Sequence, residues 1–123
     1  MEVNKQPGVG ETQAVADARR HPRFRLEIDI CVYSRNSPVV RGHTVDISEA
    51  GISAMLREEV PVGEVVRLTF ALPEGQVDAQ AAVRQRVAFR YGFQFLETGA
   101  VQGVITRACR DLAIRQAVSP LQR

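Results

Sequence analysis

The sequence predicts a small all-β domain: an antiparallel barrel of about six short strands, with one C-terminal α-helix over an opening. Two observations carry this. From Leu26 to Phe95, apolar residues recur at every second position in short runs broken by Gly, Pro, Asn and Ser, the pattern of half-buried strands joined by turns. After Gly99 the spacing lengthens to three and four, the period of a helix with one buried stripe. Short strands at regular intervals solve the problem of exposed edges by closing on themselves.

The elements follow in order. Leu26, Ile28, Ile30 and Val32 alternate with polar neighbours as a first strand, and "SRNSP" supplies a turn. "VVRGHTVDIS" reads as the second strand, and "ISAMLR" as the third, with Ile52, Ala54 and Leu56 on one face. "PVGE" turns the chain into a fourth, carrying Val66, Leu68, Phe70 and Leu72 inward until Pro73 and Gly75 close it. "VDAQAAVRQRVAF" and "YGFQFLE" form a last hairpin, with stripes Val77, Ala79, Ala81, Val83 and Tyr91, Phe93, Phe95. Val101, Val104, Ile105, Ala108 and Leu112 mark the buried side of the helix, with Thr98 at its N-cap. Residues 1–17 read as a flexible tail, 18–117 as the folded domain and 118–123 as a polar C-terminal tail.

Composition narrows function. The chain has 123 residues, 45% hydrophobic and 24% charged, with a net charge of +2. That supports one core and argues against a general DNA or RNA binder, which would show a broad basic face. Cys31 and Cys109 lack metal or redox spacing and read as small apolar fillers, and His21 and His43 have no ligand partner nearby. Glu58 and Glu59 are adjacent and point apart, which makes a poor acid/base pair. No nucleophile–base order and no phosphate-cradling glycine loop appears, so an enzyme is not expected, nor are a metal or a cofactor. Without an apolar leader or a membrane-length apolar run, a cytoplasmic location is expected and membrane association is not.

Against this plain background, "RRHPRFR" places Arg19, Arg20, Arg23 and Arg25 together just ahead of the first strand. Pro22 keeps this segment out of a helix, which leaves an extended arm. Arg19 and Arg23 form an RxxxR pair whose planar forks suit phosphate oxygens or the O6/N7 edge of guanine. "DISEAG" adds Asp46, Ser48 and Gly51. A carboxylate there can accept from a guanine's N1–H and amine, and Ser48 can donate to a phosphate or accept from a base. Gly51 allows a tight turn, with positive φ one way of making it. Each motif alone is common by chance. The order arm, strand, strand, turn is far more specific.

The chain resembles the PilZ domain, a family of bacterial receptors for cyclic di-GMP. "RRHPRF" is similar to the family's RxxxR arm and "VDISEAGISA" to its DxSxxG turn and following strand, and the likeness runs over about residues 18–115. The resemblance implies a six-stranded split barrel with a C-terminal helix, and a receptor or adaptor rather than an enzyme. It implies that Arg19 and Arg23 grip guanine and phosphate, that Arg20 adds charge or stacking, and that Asp46, Ser48 and Gly51 form the reading turn. A contact from a later strand is also implied, with Arg84 and Arg86 as its candidates. Binding would order the arm and alter the surface shown to a downstream protein partner, or within a homodimer. The competing expectation is a nucleotide-independent interaction module on the same barrel, and a third is a weak nucleic-acid binder.

Overall fold

The computed structural model describes residues 21–35 and 37–118. Arg19 and Arg20, and both predicted tails apart from Val118, lie outside the described residues. Seven strands precede one helix: β1 Phe24–Arg25, β2 Asp29–Tyr33, β3 Val40–Ile47, β4 Gly51–Leu56, β5 Val65–Leu72, β6 Gly75–Val87, β7 Arg90–Phe95 and α1 Ala100–Val118. Six of the strands close a ring in the order β3-β2-β5-β6-β7-β4, with β4 returning onto β3. Every neighbouring pair is antiparallel. The predicted six-stranded barrel with a C-terminal helix is therefore present, with β1 added against the far end of β3.

The alternation read from the sequence sets the core. Ile30, Val32, Ile52, Ala54, Leu68, Phe70, Val77, Val83, Tyr91 and Phe93 are all buried inside the ring. Each large side chain so buried contributes about 1.5–3 kcal/mol. Helix α1 covers the core with Ile105, Ala108, Cys109 and Leu112. The first helical bond, from the Gly103 amide to the Gly99 oxygen at 3.0 Å, puts the cap on Gly99 rather than Thr98. Gly99 adopts a φ of 78°, which a glycine accepts without strain. Burial pushes the Cys109 thiol up to about 12, away from reactivity.

The first strand differs from its expected form. Instead of one run from Leu26, the structure has two strands with Leu26–Ile28 between them. The buried Thr44 hydroxyl explains the break. It accepts from the Ile28 amide at 2.9 Å and donates to the Leu26 oxygen. A side chain thus replaces part of the strand ladder, and the main-chain groups stay satisfied.

Two β-bulges decide which side chains face outward. Along β3, Val40, Gly42 and Thr44 point inward, and strict alternation would carry Asp46 into the core with them. Val45 is an extra residue: Thr44 pairs with Ala54, but Asp46 pairs with Ser53. The phase inverts, so Ile47 enters the core and Asp46 comes out. In β6 the same happens at Arg84, since Val83 pairs with Phe93 while Gln85 pairs with Gly92. The outcome is one row across four strands, Asp46–Ser53–Gly92–Gln85, on the outer wall.

Candidate functional site

Asp46 is the centre of this wall. Its Oδ1 accepts from Arg23 Nη1 at 2.8 Å and from Ser53 Oγ at 2.7 Å, and its Oδ2 accepts from Arg90 Nη2 at 3.3 Å. The carboxylate is 17% exposed, whereas Arg23 and Arg90 are about half exposed. Arg23 is brought here by β1, whose Arg25 is registered directly against Asp46. The arm therefore begins over the carboxylate that the bulge turned outward.

Beyond Asp46 the chain makes the turn into β4. Ser48 is buried, and its Oγ accepts from the amides of Ala50 and Gly51, each at 3.1 Å. The Ser48 amide donates to the Gly51 oxygen at 2.8 Å. Its hydroxyl is committed to the turn, as Ser and Thr side chains commonly are. Gly51 does not have positive φ. A Cβ there would lie 2.2 Å from the Phe93 oxygen, so glycine is needed for close approach of β4 to β7.

Two adjoining grooves run over these residues. One, of about 360 Å³, is lined by Arg23, Asp46, Ser53 and Arg90. The other, of about 500 Å³, is lined by His21, Ser48, Gly51 and Arg84. Arg23, Gln85 and Gly92 belong to both. The surface offers hydrogen-bond donors on half-exposed cationic forks, one aimed carboxylate, and a polar floor. That combination can hold a ligand bearing both negative charge and a donor-rich edge.

The sequence-predicted residues divide accordingly. Arg23, Asp46, Ser48, Gly51 and Arg84 meet at the two grooves. Arg86 does not. Its Nη2 is 3.1 Å from Glu59, and its guanidinium sits 5.5 Å from the Tyr91 ring and 5.6 Å from that of Phe89. The Arg86 guanidinium holds the Glu59 carboxyl below its usual value. The bulge at Arg84 is the reason, since it gives Gln85 the groove position and turns Arg86 away. Ser53, Gln85 and Arg90 were not singled out from the sequence. Alternation alone put Ser53 and Arg90 on outward faces, but only the pairing register brings them to Asp46. The aromatic residues Tyr91, Phe93 and Phe95 belong to the core, as their spacing predicts. Among the described residues no cluster of His, Cys, Asp and Glu could hold a metal ion.

The fold has relatives. The PilZ domain of CeSA from a cellulose-synthesizing bacterium matches with a TM-score of 0.62 at 18% identity, over 74% of this chain and 97% of its own. The PilZ domain of YcgR from Escherichia coli, solved with c-di-GMP, matches with a TM-score of 0.64 at 17% identity, over 85% and 98%. The Bacillus subtilis inhibitor of motility MotI/DgrA matches with a TM-score of 0.65 at 22% identity, over 80% of this chain and about half of its own, 51%. At these identities the likeness is one of fold. A comparison with curated proteins finds no match. The sequence model of the PilZ domain matches residues 17–110, which takes in the arm, the bulged strand, the turn and most of the helix. With barrel and sequence in agreement over three quarters of its length, the chain belongs to the PilZ domain family.

Proposed function

We propose that the protein is a receptor for cyclic di-GMP and that it binds the nucleotide without turning it over. The observation that carries this reading is the outward Asp46 carboxylate with Arg23 of the arm 2.8 Å away, beside the Ser48–Gly51 turn. Cyclic di-GMP offers two phosphates and two guanines, and each has a counterpart here. A guanine's N1–H and exocyclic amine donate to Asp46. Arg23 leaves Asp46 for a phosphate or for the O6/N7 edge, joined by Arg19 and Arg20 of the same segment. Ser48 serves mainly by shaping the turn, and Arg84 faces the same groove. That a PilZ domain of similar fold was solved with c-di-GMP supports the choice of ligand.

In the free protein the Arg23–Asp46 pair satisfies both charges. The ligand replaces one pair by two, so the arm exchanges partners and no charge is left stranded. This exchange orders the arm over the barrel and changes the surface available to a partner protein. Among the described residues no helix is long and apolar enough to cross a membrane.

Calorimetry tests the reading. Titration of the wild-type chain with cyclic di-GMP, GTP and a short RNA should give heat with the cyclic dinucleotide alone. Arg23→Ala should abolish binding while leaving Tm nearly unchanged, because an exposed pair contributes only about 0–1 kcal/mol. Unfolding of that variant, or binding equal to wild type, would contradict the assignment of Arg23.

A further inference from the structure

Helix α1 touches the proposed ligand site at both of its halves, through two glutamine carboxamides. Near the helix start, Gln102 Nε2 donates to the Glu49 main-chain oxygen at 3.1 Å, within the turn between Asp46 and Gly51. A longer contact, 3.5 Å, joins the same nitrogen to Thr106 on the helix itself. Near the helix end, Gln116 takes both main-chain groups of Arg25. The Arg25 amide donates to Oε1 at 3.1 Å, and Nε2 donates to the Arg25 oxygen at 2.8 Å.

A carboxamide used in this way stands in for a neighbouring strand. β1 is only two residues long, with β3 on one edge and Gln116 on the other. The residue Gln116 grips is the one registered against Asp46. At 1.5 Å of rise per residue, Gln102 and Gln116 stand about 21 Å apart along the helix, so a single rod spans from turn to arm. Apart from the Glu74–Asp111 carboxyl pair, these are the side-chain hydrogen bonds from helix to barrel among the described residues. Both end on main-chain atoms of segments that carry the motif.

We propose that Gln102 and Gln116 are positioning residues that register the turn and the arm for the ligand, and that α1 is the element through which occupancy is reported. The inference rests on the receptor reading and adds its route of output. A nucleotide that draws Arg23 off Asp46 pulls on β1 two residues from the Gln116 clamp. Coupling of this kind is reciprocal: whatever the ligand does to the helix, the clamp does to affinity. The two contacts are unequal. The turn is also held by Ser48 and by the bond from the Phe95 amide to Ala50. By contrast β1, paired with β3 along one edge and followed by the Leu26 amide bond to the Val45 oxygen, has Gln116 alone among the described hydrogen bonds on its other edge. Gln116 is the stronger determinant.

The experiment is calorimetry with cyclic di-GMP together with amide hydrogen exchange, free and bound, on the full chain and its variants. Gln116→Ala should weaken binding about fivefold or more, expose the amides of residues 24–26 and remove the ligand-induced change in helix exchange. Gln116→Glu keeps the acceptor for the Arg25 amide and loses the donor, and should fall between. Arg107→Ala, on the exposed side of the helix, should match wild type. Wild-type affinity in Gln116→Ala, or helix exchange indifferent to ligand in the wild-type chain, would overturn this inference and leave the receptor reading intact. No binding by the wild-type chain would overturn both.

Discussion

Asp46 and Ser48 sit two positions apart in one motif, yet they act by different physics. Asp46 is an outward charge shared among Arg23, Ser53 and Arg90, and the contribution proposed for it is to recognition. Ser48 is buried, and two amides depend on its oxygen. Ser48→Ala strands those amides, at about 1–3 kcal/mol. It should lower Tm by several degrees and weaken nucleotide binding through a loosened turn. A Ser48→Ala chain with wild-type Tm but lost binding would instead make the hydroxyl a direct ligand contact. Motif spacing made both residues legible. It could not tell which was structural, because that depends on which way the turn folds its side chains.

At the scale of elements, alternation located the strands and the helical stripe, since period two and period 3.6 are properties of the chain alone. It could not locate the bulges. Val45 and Arg84 look like ordinary alternating residues until pairing shows two residues opposite one. For that reason Arg86, named with Arg84 as a later-strand candidate, lies off the grooves that Gln85 lines, and the expected single first strand is split where Thr44 interrupts it. The join between helix and barrel also carries a pH dependence. Glu74, at the β5–β6 turn, has its carboxyl pKa raised, first by a hydrogen bond with Asp111 of α1 and then by burial. A folded-state pKa above the unfolded one means the contribution is present at acid pH and is lost as pH rises through the raised value. Glu74→Gln should therefore raise Tm at pH 7 and change it little near pH 4, measured by thermal melts at the two pH values. An equal effect at both would show that the carboxyl pair is not the cause.

For the whole molecule, the closed barrel supplies the wall, and the parts proposed to answer to a ligand are fastened to its outside. Six strands in a ring leave no free edge, so β1 and the turn lie outside the ring, while α1 closes over the core with Ile105, Ala108 and Leu112. The barrel was readable because burial repeats along every strand. The candidate site was legible only where chemistry is concentrated in a motif, as in Arg23 and Asp46, which the structure brings together. Arg90 is recruited from a strand remote in sequence and Ser53 from the next strand, and neither carries a local signal. The central claim is that a bulge turns Asp46 outward to read guanine, and one titration tests it most directly. Cyclic di-GMP and cyclic di-AMP are each titrated into the wild-type chain and into Asp46→Ala. The account predicts strong preference for the guanine nucleotide in the wild-type chain and loss of that preference in the variant, with the fold intact. Undiminished preference for cyclic di-GMP in Asp46→Ala, or an equal drop in affinity for both nucleotides, would contradict it.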